Sequence, residues 1–281
     1  MVALEYLLRF IDEDAPSGDV TSDAVIPDTI CHAEIRAEQE GVIAGLAEAG
    51  ALFSHFGVEV QEKTRDGTRV KNGDVLLVLS GPAKKILLVE RTALNIIGRM
   101  SGIATQTKAI TDMVRAENSR CRVAGTRKTC PGLRALDKKA VVLGGGDPHR
   151  TGLSDGVLIK DNHLALVSIS DAITRAKAAS AYRMIEIEVE TMEDAIAAAC
   201  AGADILLLDN MTPENIRKTL RGLEAAGLRE RITIELSGGI TAETIREYAK
   251  AGPDLISLGA LTHTVRNFSV TLEILKNSPV L

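Results

Sequence analysis

Apolar residues in this chain follow two different rhythms. From about residue 120, short apolar runs alternate with Ala-rich stretches of helical period. The runs "CRVAGT", "GVLIK", "MIEIEVE", "DILLLDN", "ITIELSGG" and "DLISLGA" read as strands, and "TMEDAIAAACAGA", "TPENIRKTLRGLEAAG" and "TAETIREYAKAG" read as the helices between the later ones. Two of these helices close on Ala-Gly, and Thr191, Thr212 and Thr241 stand at N-cap positions. Thr191 with Asp194 resembles a capping box. Strand, helix, strand in repetition gives a parallel sheet, and six such units in about 140 residues predict an α/β barrel, an incomplete one. A doubly wound open sheet is the alternative.

The first hundred or so residues have another pattern. Residues 4–12 predict an amphipathic helix, and residues 32–81 mix strand, helix and strand, with "TRDGT" and "VKNGD" as turns. Residues 84–115 predict a long helix, with Leu87, Leu88, Leu94, Ile97 and Met100 at helical spacing. The fold class is therefore α/β: an N-terminal α+β domain over 1–105, then a barrel over 106–263. The segment 264–281 does not repeat the barrel unit and is expected to fold back onto the first domain.

Composition narrows the function. The chain carries 38 acidic against 33 basic residues, a net charge of −5, which argues against general binding of nucleic acid or membrane surfaces. Aromatic residues make up 2% with no Trp, too few for base-stacking platforms. No run approaches the ~18 apolar residues of a membrane helix, and the N-terminus does not fit a signal peptide. The expected location is the cytoplasm. Cys31, Cys121, Cys130 and Cys200 show neither Cys-x-x-Cys nor zinc-ligand spacing and read as buried small apolar side chains in a reducing compartment, with Cys130 beside the basic cluster the one candidate for reactivity.

Within this acidic chain, polar residues collect where the barrel strands end. The series is Arg127 and Lys128, Lys160, Glu188 and Glu190, Asp209, Ser237 to Gly239, then Gly259. In parallel α/β barrels that end carries the active site. "LSGGIT" reads as a phosphate site, with glycines exposing backbone N–H groups and a helix following at once. "GGGDPHR" brings His149 and Arg150 towards Arg127, Lys128 and Lys160, a concentration of cations suited to carboxylates and phosphates. Glu188 and Asp209 on neighbouring strands suit Mg²⁺ beside a phosphate, salt bridges to the lysines, or acid–base work. Glu186, Glu188 and Glu190 share one face by the period of two, so periodicity does not choose among them.

The chain resembles the quinolinate phosphoribosyltransferase family over nearly its whole length. The resemblance rests on "SGDVTSD", "ERTALNIIGRMSGIAT", "TRKTCPGLRALDKKAV", "GGGDPHRTGLSDGVLIKDNH", "IEVE", "LLLDNM", "SGGIT" and "ISLGALTH". It implies a type II phosphoribosyltransferase-like fold with an open α/β barrel. It implies transfer of phosphoribose from phosphoribosyl pyrophosphate to quinolinate with decarboxylation, giving nicotinate mononucleotide, pyrophosphate and CO2, with Mg²⁺ as cofactor. It also implies a homodimer with a shared active site, hexamers occurring among relatives, in which Arg91 reaches the neighbour's quinolinate. On matching positions, Thr126, Arg127, Lys128, His149, Arg150 and Lys160 would line the pocket. Lys128, Lys160, Glu188 and Asp209 would carry the catalysis, and Glu188 and Asp209 the metal-associated side. Ser237, Gly238, Gly239, Gly259 and Ala260 would hold phosphate.

Three departures stand out: Gly125 where many relatives have Asp, Asp147-Pro148 before His149 where Asn is common, and Leu236 before Ser237. Three other readings compete: a molybdenum-transport-associated paralogue sharing the TRKT and Gly-Gly-Gly-to-His-Arg segments, a non-catalytic phosphoribosyl-ligand binding protein, and a barrel aldolase using Lys160 as a Schiff base. The intact "LIKDNH", the retained carboxylates and lysines, and the surplus of cations around Lys160 weigh against them in turn.

Overall fold

The computed structural model describes residues 2–275. They fall into two compact units: 2–108 with 131–145 and 264–275, and 109–130 with 146–263. The segment 131–145, read above as part of the barrel, groups with the first unit. Its helix Arg134–Leu143 contributes Leu136, Ala140 and Val141 to that unit's core, so the barrel's first loop is an excursion into the other unit's interior.

In the first unit the described strands are β1 (Ile30–Ala37), β2 (Gly41–Val42), β3 (Glu59–Glu62), β4 (Arg69–Val70) and β5 (Val75–Pro82). A four-stranded antiparallel sheet runs β12-β1-β5-β3, where β12 is Val270–Ile274. The tight turns after β3 and β4 carry Gly67 and Gly73 at φ +85 and +89, conformations that glycine adopts without steric cost. The helix predicted over 84–115 is Ala83–Glu117.

Much of "ERTALNIIGRMSGIAT" does structural work there. Ser101 Oγ accepts from Ala44 N–H at 2.9 Å and Thr105 Oγ1 from Val42 N–H at 2.9 Å, satisfying buried backbone donors. A Cβ on Gly102 would lie 2.1 Å from the Arg266 carbonyl oxygen, so only glycine lets the returning C-terminal segment pass.

The second unit holds β6 (Arg122–Ala124), β7 (Val157–Ile159), β8 (Ile185–Val189), β9 (Ile205–Asp209), β10 (Thr233–Ser237) and β11 (Leu255–Ser257). Every pairing among these six is parallel, in the order β6-β11-β10-β9-β8-β7. Strand β6 lies beside the last strand, whereas β6 and β7 do not pair, which is an open α/β barrel. Leu206, Leu208, Ile234, Leu236 and Ile256 pack with Ala195, Ala198, Ile216, Leu223 and Ile245 of the helices. The alternate residues face inward. Thr191 and Thr212 cap helices Met192–Ala201 and Pro213–Ala225 by accepting from Asp194 and Asn215 N–H, contacts worth about 1 kcal/mol each. Thr241 does not cap a helix: residues 242–244 form a turn, and the helix is the short Ile245–Lys250.

Candidate active site

Register places the C-terminal ends of the six strands together: Ser257 pairs with Ala124, Ser237 with Asp209, and Ile159 with Ile187. There a cavity of about 670 Å³ opens, lined by Thr126, Arg127, Lys128, His149, Arg150, Lys160, Glu188, Asp209, Ser237, Gly238, Gly239, Gly259 and Ala260 among others. Thirteen residues expected from the sequence thus meet at one mouth. Arg91 does not line this cavity; it is exposed on helix Ala83–Glu117 of the first unit. A hollow of about 780 Å³ lies at the opposite ends of the strands, with Arg120, Arg217, Arg221 and Arg229 in its wall. Its acidic members Glu224, Glu230 and Asp254 offset that charge, and Arg229 bonds Asp254 at 3.0 Å.

The mouth is electrostatically unfinished. Burial and the charge of Arg127 both lower the pKa of Arg150, so two guanidinium groups are held close against their repulsion. Arg127 Nε is buried without a hydrogen-bond partner. Cations so placed favour an anion that can accept from both. Lys128 is exposed, and Gly259 makes room for it, since a Cβ there would lie 2.9 Å from Lys128 Cδ.

The three glutamates of the β8 pattern separate cleanly. Glu188 pairs with Lys160, Glu186 is buried beside His149, and Glu190 is exposed past the strand's end. Asp209 has its pKa raised, first by burial and then by Glu188, while Lys160 opposes the rise. A cation would relieve this strain between neighbouring carboxylates. Two hard oxygen donors beside a cavity open to further oxygen ligands fit Mg²⁺.

Ser237-Gly238-Gly239 forms a strand-end bend. Gly238 and Gly239 have φ +90 and +62, and a Cβ on Gly238 would lie 2.2 Å from Asn210 Oδ1. The helix expected to follow at once begins only at Ile245. The bend therefore offers an anion backbone N–H groups and the Ser237 hydroxyl, without a helix terminus.

Sequence reading missed several lining residues: Leu158, Leu207, Asn210, Glu235, Ile240, Thr241, Ser257, Leu258 and His263. Glu235 had a signal. It is an acid inside an apolar strand, two residues before Ser237 and so on the same face. His149 sits between it and Glu186, with Nε2 3.2 Å from Glu235 and 3.6 Å from Glu186. Burial disfavours the charged ring, but the carboxylates of Glu186 and Glu235, the latter hydrogen-bonded to it, outweigh this and push His149 up to about 10.

The two family models of quinolinate phosphoribosyl transferase match this chain end to end, the N-terminal domain over residues 19–101 and the C-terminal domain over 103–273. The chain belongs to the quinolinate phosphoribosyl transferase family. It is 43% identical to a probable nicotinate-nucleotide pyrophosphorylase [carboxylating] of Methanothermobacter thermautotrophicus, over 96% of this chain and 98% of that protein. It is 40% identical to the probable enzyme of that name in Bacillus subtilis, over 95% and 92%. The NadC crystal structure from Streptococcus pyogenes superposes with a TM-score of 0.89 at 35% identity, covering 97% and 96%. Within this family, the open barrel and its cation-rich mouth belong to the C-terminal domain.

Proposed function

We propose that this protein transfers the phosphoribosyl group of phosphoribosyl pyrophosphate to the ring nitrogen of quinolinate, with loss of CO2, yielding nicotinate mononucleotide and pyrophosphate for NAD biosynthesis. The observation that carries this is one cavity with a cationic wall of Arg127, Lys128, His149, Arg150 and Lys160 and a backbone-lined wall at Ser237–Gly239. Family membership and the names of the relatives agree with it.

The residues divide the work by chemistry. Arg127 and Arg150 receive the pyridine carboxylates, since planar guanidinium forks match carboxylates bidentately. Lys128 and Lys160 neutralise the departing pyrophosphate, which develops charge as the C–O bond to ribose lengthens. Thr126 adds a hydroxyl to that wall, and its Oγ1 accepts from Lys128 N–H at 3.1 Å. Ser237, Gly238, Gly239, Gly259 and Ala260 hold the 5′-phosphate. Glu188 and Asp209 would hold Mg²⁺, which when bound would neutralise pyrophosphate charge.

No covalent nucleophile is needed. Once the ring nitrogen is alkylated it is cationic, and the electrons left at C2 as CO2 departs are stabilised beside it. A proton then replaces the carboxyl group at C2.

The assembly we propose is a homodimer in which Arg91 completes the partner's pocket, and the location is the cytoplasm. Among the described residues no helix is long and apolar enough to cross a membrane. The test is direct: purified protein with Mg²⁺, phosphoribosyl pyrophosphate and quinolinate releases CO2, and nicotinate replaces quinolinate poorly. Absence of CO2 sinks the reading. For the dimer, mixing inactive Arg91→Ala with inactive Lys128→Ala subunits restores part of the activity, and verified mixed dimers that stay inactive refute a shared site.

A further inference from the structure

His149 is held through its backbone N–H and both ring nitrogens. Its backbone N–H donates to Asp147 Oδ1 at 2.7 Å, and the other Asp147 oxygen pairs with Arg122. Its Nδ1 lies 2.8 Å from the Arg150 N–H, and its Nε2 faces Glu235 and Glu186. Its backbone is left-handed, φ +54, a conformation costly for a residue with a Cβ. A strained backbone with both ring nitrogens engaged inside the protein leaves no ring N–H or lone pair to spend on substrate.

The two glutamates are harder to account for as fold stabilisers. Glu186 is 5% exposed and Glu235 1%, and each leaves one oxygen, Oε1, without a hydrogen-bond partner. Burying two like charges side by side is expensive, and replacing such groups by apolar residues of similar size is often neutral or stabilising. A pair kept at that cost and only half satisfied points to a role in the site above it.

Metal binding by His149, Glu186 and Glu235 is suggested by their spacing, their donor atoms lying within 4.8 Å of one another. The ring argues against it. The Arg150 amide donates to Nδ1 only when Nδ1 carries no proton, which puts the ring proton on Nε2, facing the carboxylates. A charged ring keeps the Nε2 proton and adds one on Nδ1, facing the Arg150 N–H, so the observed bond belongs to the neutral ring. In either state a metal at Nε2 must displace that proton.

We propose that Glu186 and Glu235 are positioning residues for quinolinate: with Asp147 they fix His149, and His149 fixes the backbone of Arg150, so that Arg150 stays beside Arg127 despite their repulsion. Asp147 thus has a purpose: one oxygen accepts from the His149 N–H and the other ties the loop to Arg122. The inference rests on the proposed reaction and adds that substrate recognition has a buried anionic support.

The test is Glu235→Leu in the full-length protein, with steady-state kinetics in both substrates, direct calorimetric binding of quinolinate, and thermal melting. The thermal midpoint should fall, because the His149 ring loses its 3.2 Å partner while Glu186 stays beside it, and KM and Kd for quinolinate should rise about tenfold while KM for phosphoribosyl pyrophosphate stays within about twofold. Glu235→Gln, which keeps size and a hydrogen-bond acceptor but loses charge, should fall between wild type and Leu, and serves alone if the Leu protein does not fold. Unchanged quinolinate binding in the folded variants overturns the inference, as does a proportional rise in both KM values that tracks a loss of melting temperature. A wild-type protein that releases no CO2 from quinolinate instead overturns the proposed reaction itself, so the two failures are distinct.

Discussion

The two units each bury charged clusters, and they do so in opposite ways. In the first unit Lys139 donates to Glu48 at 2.9 and 2.7 Å and to Asp66 at 3.3 Å, and Glu48 also accepts from Val2 N–H. Arg99 grips both oxygens of the fully buried Asp137 at 2.8 and 2.9 Å. Every carboxylate oxygen named there has a partner. In the barrel, Glu186, Glu235 and Arg127 each keep a buried polar atom unsatisfied. A closed network rigidifies a fold, whereas an open one costs stability and persists where a ligand or a function completes it. This difference separates structural charge from site charge without knowing any substrate.

The sharpest way to break the comparison is to cut a closed pair. Asp137→Ala leaves Arg99 without its bidentate partner and should cost about 3–5 kcal/mol of folding stability in urea unfolding. A loss below about 1 kcal/mol would mean that the satisfied pairs are no more structural than the open ones.

Next comes Lys160→Ala at the mouth. Its side chain is 44% exposed and its pair with Glu188 is partly solvated. Stability should change by less than about 1 kcal/mol, as for other exposed pairs, while kcat/KM falls by about a hundredfold or more through loss of charge opposite the leaving group. Comparable losses in stability and activity would erase the distinction between the two kinds of cluster.

How much of this was legible in the sequence follows the same division. The barrel's six strands were readable because each is a short apolar run ending in a polar residue, and the predicted strand runs contain the observed β6–β11. The mouth was readable because those polar residues fall at the same point of each repeat. Glu188 could not be told from Glu186 and Glu190, since period two gives all three one face, and only depth distinguishes them: one at the rim, one in the interior, one beyond the strand. Segment 131–145 was unreadable as part of the first unit because its helix has the same amphipathic pattern whichever core it joins. The late start of helix Ile245–Lys250 was hidden because Thr241 and Thr244 are both acceptable caps; Thr241 N–H donates to Thr244 Oγ1 at 3.1 Å in the turn that precedes the helix. Nothing in the structure explains Gly125 beyond its N–H donating to the Asp147 carbonyl.

A smaller effect sharpens the role of the bend at β10. Gly238→Ala places a methyl group where Asn210 sits and forces a left-handed backbone on a residue with a Cβ. The cost should be about 1–3 kcal/mol, with a rise in KM for phosphoribosyl pyrophosphate and little change for quinolinate. Equal changes in both KM values would separate the bend from phosphate binding.

The finest test uses pH, because the His149 cluster titrates within the accessible range. Burial opposes a charged His149, but Glu186 and Glu235 carry its folded-state pKa above the ordinary 6.5, to about 10, and protonation gives up the Arg150 N–H bond at Nδ1. A group whose pKa is raised on folding contributes stability that is fully present below the unfolded value and is lost as pH rises through the folded one. Glu186 has the same sign: burial first, and then Glu235, raise its pKa, while His149 and Arg150 oppose the rise. Folding stability from this cluster should therefore decline between about pH 6.5 and pH 10. Urea unfolding at one-unit steps from pH 7 to pH 10 reads the slope. His149→Gln should flatten it relative to wild type, while Lys139→Met in the first unit, despite a larger overall loss of stability, should leave the wild-type slope over that range in place. If both variants flatten the decline equally, the pH response does not belong to the His149 cluster, and the contrast between a closed structural network and an open site network loses its electrostatic half.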